Sequence, residues 1–167
     1  MRAAVWSANL RAGDLRVEIT ETTLMENPDG AQVVLRQLRA LGVKVYLDDF
    51  GTGFSSLSYL HRFPVDTLKI DQSFIASLSR GDSQPAIIES IVALARTLGT
   101  HVIAEGVETE SQMSALVRLG CVEAQGFLFA QPLPPHTAET FLEQSDRAGA
   151  RTLDLAETGP AISRLTH

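Results

Sequence analysis

Cysteine is almost missing from this chain of 167 residues: Cys121 stands alone, so no intramolecular disulfide can form. The 4 histidines, His61, His101, His136 and His167, fall at no spacing that suits a zinc site. Positive charge is also scarce. With 14 Lys and Arg against 20 Asp and Glu, the net charge is −6, so no general cationic field exists to hold a polyanion, and no DNA or RNA polymer is expected as a partner. Long apolar runs are lacking too. The N-terminus passes from Arg2 through Ala3 and Trp6 to Ser7 and Asn9, too short for the core of a signal peptide, and no later run approaches a membrane span. These absences lead us to expect a cytoplasmic protein in a reducing compartment, with no membrane segment.

The residues that are present describe an ordinary folded domain. Hydrophobic residues make up 44% and charged ones 20%, and the length suits one domain with a sizeable core. Short β-branched runs alternate with longer helical patterns, which marks an α/β fold with a parallel sheet built from βα units. Strands are expected at residues 15–20, 43–47, 66–70, 101–104 and 122–127. A helix over residues 84–98 would bury Ile87, Ile88, Ile91, Leu94, Ala95 and Leu98 as one stripe. Pro28 can open the first helix and Gly42 can close it, while Gly99 and Gly120 stand where later helices should end. From about Asp146 the periodicity fades, so residues 146–167 read as a loosely held tail.

Successive strand residues point to opposite faces, which sorts each strand into two sets. Leu15, Val17 and Ile19 oppose Arg16, Glu18 and Thr20, and Val43, Val45 and Leu47 oppose Lys44, Tyr46 and, just past the strand, Asp48. Leu68 and Ile70 oppose Lys69, Val102 and Ala104 oppose Glu105, and Val122 and Ala124 oppose Gln125. Each strand should therefore offer one apolar face to helices. The other face gathers Glu18, Asp48, Lys69, Glu105 and Gln125 near the C-terminal strand ends, where a (β/α)₈ barrel or an open α/β sheet places its chemistry.

Glu18, Asp48, Asp49 and Glu105 are hard oxygen donors, which without Cys or paired His favour Mg²⁺ or Mn²⁺ over zinc. Such metals suit hydrolysis of a phosphate ester, because they neutralise the phosphate and lower the pKa of the attacking water. Lys69 is a compact cation able to orient that water or hold a phosphate oxygen. An internal salt-bridge network would use the same charges, but placing all of them at strand ends favours a site. After the second strand, Gly51 and Gly53 flank Thr52 in a tight turn able to close over a site. No Gly-Lys-Ser/Thr follows, so this is not a P-loop.

Four segments then occur in order: Asp48-Asp49-Phe50-Gly51-Thr52-Gly53-Phe54-Ser55-Ser56, Leu68-Lys69-Ile70-Asp71, Ala104-Glu105-Gly106-Val107-Glu108-Thr109 and Ala124-Gln125-Gly126-Phe127. With Glu18-Ile19-Thr20-Glu21 upstream, the chain resembles the EAL domain family over residues 15 to about 142. That family consists of bacterial phosphodiesterases of the second messenger cyclic di-GMP. The resemblance implies a TIM-type (β/α) barrel and a two-metal site with Mg²⁺ or Mn²⁺. It assigns Glu18, Asp48 and Glu105 as ligands, with Asp49 serving the second metal. Lys69 and Asp71 would position water or phosphate, and Gln125 would join the water and substrate network. Glu21 would support the mobile loop that includes Gly51, Thr52 and Gly53, and Glu108 would be a supporting acid near the substrate. Metal-activated water would then open cyclic di-GMP to linear pGpG.

Some of the family pattern is absent. The tripeptide Glu-Ala-Leu occurs nowhere in the sequence, nor does the Asn ligand of the following strand, and Cys121-Val122-Glu123 departs from the usual Cys-Asp-aromatic. A complete (β/α)₈ barrel takes about 250 residues. We therefore expect about the last five βα units: a remnant of a preceding helix at 1–14, a partial EAL domain at 15–145 and the tail at 146–167. Such a chain would be impaired by itself and would leave a barrel edge open to a homo-oligomer or partner chain. The alternative is a catalytically inactive EAL-like binding or protein-interaction module. A Schiff-base enzyme using Lys69 is disfavoured, because carboxylates around an amine keep it charged.

Overall fold

A computed structural model describes residues 11–53, 60–78 and 85–147. Its five strands follow one another in the sheet in the order β1-β2-β3-β4-β5. By internal contacts the chain divides into two compact units, Met1–Asp71 with Ala93–His101, and Gln72–Val92 with Val102–His167.

In the first unit β1 (Arg16–Thr20) pairs in parallel with β2 (Lys44–Phe50), setting Val17 beside Val45 and Ile19 beside Leu47. β2 pairs in parallel with β3 (Thr67–Ile70). Between β1 and β2 run α1 (Glu21–Glu26) and α2 (Pro28–Ala40). Local chemistry sets their starts. The Thr20 side chain accepts from the Thr23 N–H, the Asn27 side chain accepts from the Gly30 N–H, and Pro28 stands at the first position of α2, where no N–H is needed. Gly42, Gly99 and Gly120 all have positive φ where helices end, as the sequence leads one to expect. Asp66 fastens β2 to β3: its carboxylate takes the Val45 N–H at 2.9 Å and the Lys44 ammonium at 2.9 Å.

The strand faces only partly follow the expected alternation. In β2 Val45 and Leu47 are fully buried while Lys44 is exposed. In β3 all four residues are buried, and in β1 none is. The expectation of one apolar face per strand is thus corrected in β3, while β1 keeps it in weaker form, with Val17 and Ile19 half-buried and Arg16 and Glu18 exposed. β2 also runs past Leu47, its expected end, to Phe50. Leu47 faces Leu68 and Phe50 faces Ile70, so Asp48 and Asp49 together stand against Lys69 in a bulge. The extra residue re-phases the strand and returns Phe50 to the buried side, with Asp49 at φ +54°.

α4 (Pro85–Leu98) buries Ile88, Ile91, Val92 and Ala95, the i, i+3, i+4, i+7 set. Val92 joins the buried set, whereas of the expected stripe Ile87 is exposed and Leu94 and Leu98 are only half-buried, so the buried face is turned from the one expected. Fully burying a Leu or Ile side chain is worth about 1.5–3 kcal/mol, so such stripes hold the helices on the sheet.

The second unit holds α3 (Gln72–Leu78), β4 (His101–Ala104) beyond its first residue, α5 (Glu110–Arg118), β5 (Glu123–Ala124) and α6 (Pro135–Arg147). β4 and β5 pair in parallel, Ile103 with Glu123 and Ala104 with Ala124. The expected strand at 122–127 shrinks to these two residues. Val122 is exposed and the preceding Cys121 is buried in its place. Past Ala124 the chain presses on the β4–α5 loop at Gly126, where a Cβ would lie 2.2 Å from the Val107 carbonyl oxygen; only glycine fits. Glu105, at the end of β4, and Gln125, after β5, keep their expected places.

The expected helix remnant at 1–14 is described only from residue 11, with a 3₁₀ turn at Ala12–Asp14. Residues 148–167 of the expected tail, and Phe54, Ser55 and Ser56 of the loop, lie outside the described residues. Among the described residues no helix is long and apolar enough to cross a membrane.

Candidate functional site

In the first unit the charged residues meet at the C-terminal ends of β1, β2 and β3. The β3 backbone places Lys69 inside a fully buried strand, where only 4% of the residue is exposed. Its ammonium lies 2.9 Å from Glu18 Oε1 and 3.1 Å from Asp48 Oδ1. A buried ammonium is costly without partners, and these two carboxylates offset that cost. The bulge brings Asp49 next to them, its N–H donating to Asp48 Oδ1 at 3.1 Å. Among the described residues, Asp49's carboxylate, Glu18 Oε2 and Asp48 Oδ2 have no hydrogen-bond or ion-pair partner. Three carboxylates against one ammonium leave an excess of negative charge with open oxygen donors.

The turn after β2 rests on Glu21. This carboxylate, on the first residue of α1, is 3% exposed, and its Oε2 accepts the Gly51 N–H at 3.2 Å. Its other oxygen is buried with no partner among the described residues. Gly53 closes over that oxygen, and a Cβ there would come to 2.7 Å from it. Thr52 turns back on Asp49, its hydroxyl and N–H donating to the Asp49 carbonyl at 2.9 and 3.3 Å. Asp71 follows β3 directly and is half-buried.

In the second unit Glu105 is half-buried, and its Oε1 accepts from the Gln125 amide. Glu108 is exposed, and its N–H donates to Gln112 Oε1 at 2.8 Å. Gln112 is a residue the sequence reading overlooked. It is 6% exposed, its oxygen also accepts the Thr109 N–H at 3.0 Å, and its amide nitrogen donates to the Ile75 carbonyl at 3.4 Å. The loop that carries Glu105 is thereby fastened to α3. The Thr-x-x-Gln spacing of a capping box was the signal for it. Cys121 is chemically quiet, since burial pushes its thiol up to about 12.

Comparison with known proteins gives a consistent picture. A family model described as the EAL domain matches residues 1–132. A bifunctional diguanylate cyclase/cyclic di-GMP phosphodiesterase, MucR of Pseudomonas aeruginosa, is 48% identical over 134 residues, 80% of this chain and 20% of MucR. Among solved structures, the MucR phosphodiesterase in complex with cyclic di-GMP superposes with a TM-score of 0.78 at 47% identity, covering 82% of this chain and 56% of the other. The EAL domain of Mycobacterium smegmatis DcpA gives a TM-score of 0.79 at 40% identity, covering 85% and 64%. BlrP1 of Klebsiella pneumoniae, solved with manganese and cyclic di-GMP, gives 0.73 at 38% identity, covering 78% and 33%. The chain spans about a fifth of the curated relative's length and under two thirds of these solved chains.

Proposed function

The chain belongs to the EAL domain family, and from that premise we propose that it carries part of a metal-dependent site hydrolysing cyclic di-GMP to linear pGpG. The observation that carries the reading is Lys69, a buried ammonium held between Glu18 and Asp48 at the strand ends. A divalent cation fits the donor set, which is all oxygen and holds more negative charge than Lys69 neutralises. The proposed ligands are Glu18, Asp48, Asp49 and Glu105, and the proposed ions are Mg²⁺ or Mn²⁺. When bound, such ions offset phosphate charge and make water a stronger nucleophile.

The chain's own residues do the positioning. Lys69, pinned by its two carboxylates, presents a fixed positive charge to a phosphate oxygen. Asp71, next along the chain from β3, helps to orient the attacking water. Gln125 holds Glu105 in one orientation through its amide and joins the water and substrate network. Glu21 sets the height of the Gly51–Thr52–Gly53 turn, and Glu108 supports the substrate's surroundings from the β4–α5 loop. Residues 15–145 are the part of the chain we assign to the domain, and the cytoplasm is its proposed place of action. Because Glu-Ala-Leu is absent from this sequence, turnover by the chain alone is slow, and a second copy or a partner chain beside β1 is the proposed remedy.

The test is chromatographic detection of pGpG from cyclic di-GMP with Mg²⁺, with Mn²⁺ and with EDTA. The expected result is slow turnover that needs metal and disappears in Lys69→Met and Glu105→Gln. Binding of cyclic di-GMP without any pGpG would replace this reading with that of an inactive binding module, which the absent Glu-Ala-Leu favours.

A further inference from the structure

In the second unit, Glu105 to Thr109 join β4 to α5 in neither helix nor strand. Such a segment keeps one course only if its backbone groups are met from outside it. The residues after β5 meet its middle: the Val107 N–H donates to the Gln125 carbonyl at 3.1 Å, and the Val107 carbonyl accepts the Leu128 N–H at 2.9 Å. Gln112, in the first turn of α5, meets its end. One oxygen, Oε1, accepts the Glu108 N–H at 2.8 Å and the Thr109 N–H at 3.0 Å. A capping box calls only for the Thr109 bond. The Glu108 bond and the burial of the side chain, 6% exposed, go beyond what starting a helix needs.

The same side chain reaches a third element, its amide nitrogen donating to the Ile75 carbonyl in the last turn of α3 at 3.4 Å. The loop meets α3 again at Gly106, whose φ is +69° and where a Cβ would come to 2.6 Å from the Gln72 Cβ. Loop and α3 are thus joined at Gln72 directly and at Ile75 through Gln112, within one helical turn. Glu105 is the residue whose direction depends on this course. Gln125 holds its carboxylate by the side-chain amide and holds Val107 by the carbonyl, so a shift of the loop pulls on both grips.

We propose that Gln112 is a positioning residue for Glu105: by pinning Glu108 and Thr109 against α3 it sets the course of the loop, and with it the direction of the Glu105 carboxylate. The inference rests on the reading of Glu105 as a metal ligand and adds a residue that touches neither metal nor substrate.

The test compares three variants. Gln112→Met keeps the side chain's length and removes its polar atoms, Gln112→Glu keeps an oxygen for the two N–H groups, and Leu116→Val thins a fully buried position on the same helix. In EDTA, NMR follows the metal-free protein. Gln112→Met should move the Gln125 side-chain amide signals toward those of a free amide and speed exchange of the Glu108 and Thr109 N–H groups by about tenfold. Titration with Mn²⁺, followed by water-proton relaxation, should show affinity lowered about threefold or more in Gln112→Met and largely restored in Gln112→Glu, although the buried charge of Gln112→Glu lowers its melting temperature. Leu116→Val should melt earlier and bind Mn²⁺ as the parent does. If Gln112→Met does not fold, Gln112→Asn, whose shorter side chain withdraws the oxygen, is read in the same way. Mn²⁺ affinity that follows the melting temperature across the variants, or a Gln125 amide unmoved in Gln112→Met, would overturn the proposal. A parent that binds no Mn²⁺ would overturn the metal reading instead, and the Gln125 amide would then decide by itself whether Gln112 positions Glu105.

Discussion

β1 and β3 each carry a charged residue of the proposed site, yet the two strands have opposite surroundings. β3 lies in the middle of the strand order, all four of its residues are buried, and Lys69 reaches its partners from inside that layer. β1 lies at one end of the order and has no buried residue, and the Glu18 side chain is 51% exposed. The same alternation in sequence thus yields a rigid pedestal in one place and a half-solvated arm in the other. Neighbours, more than the strand's own pattern, decide how firmly a functional side chain is held.

The largest effect should come from the cores of the two strands. Leu68→Ala removes a fully buried side chain from β3 and should cost about 2–5 kcal/mol in urea denaturation, whereas Val17→Ala in the half-buried β1 should cost less than about 1 kcal/mol. Equal losses would break the comparison. The site residues sharpen it at a smaller scale. Lys69→Met strands two carboxylates and should destabilise by about 1–3 kcal/mol, while Glu18→Gln, whose partner is lost from an exposed position, should change stability by less than about 1 kcal/mol. Glu18→Gln costing as much as Lys69→Met would contradict the pedestal picture.

A pH-dependent effect is expected at the far end of the strand order. Cys121 precedes the short β5 yet is 1% exposed, so an end position does not by itself mean exposure. Burial raises its thiol from 9.0 to about 12. The folded state then keeps the proton that the unfolded state gives up. The resulting stabilisation is complete below about pH 9 and is lost as pH rises through about 12. Denaturation at pH 8 and pH 10.5 should show a steeper fall in the parent than in Cys121→Ala. Identical falls would mean that the thiol is not buried.

Much of this architecture was legible beforehand because the period-two pattern of β2 and the helix punctuation at Pro28, Gly42, Gly99 and Gly120 act locally. The placement of Glu18, Asp48, Lys69 and Glu105 at strand ends followed from the same parity. What escaped depended on neighbours. The bulge at Asp48–Asp49 shows only as two acids interrupting the spacing from Leu47 to Phe50, and its register is set by pairing with β3. Past the short β5, Gly126 lies against the Val107 backbone, a close approach between residues distant in sequence. The exchange of Ile87 for Val92 on the buried face of α4 reflects a small rotation that apolar residues on both sides could not signal. Gln112 escaped because its bond to the Ile75 carbonyl joins residues far apart in sequence.

The central claim is that carboxylates beside a buried ammonium form a seat for a hard divalent cation. Titration of the protein with Mn²⁺, followed by water-proton relaxation, tests it directly. Saturable binding that Mg²⁺ displaces, and that both Asp48→Asn and Glu105→Gln weaken by about tenfold or more, is the predicted result. Mn²⁺ binding that is absent, or that persists unchanged in both variants, would contradict it.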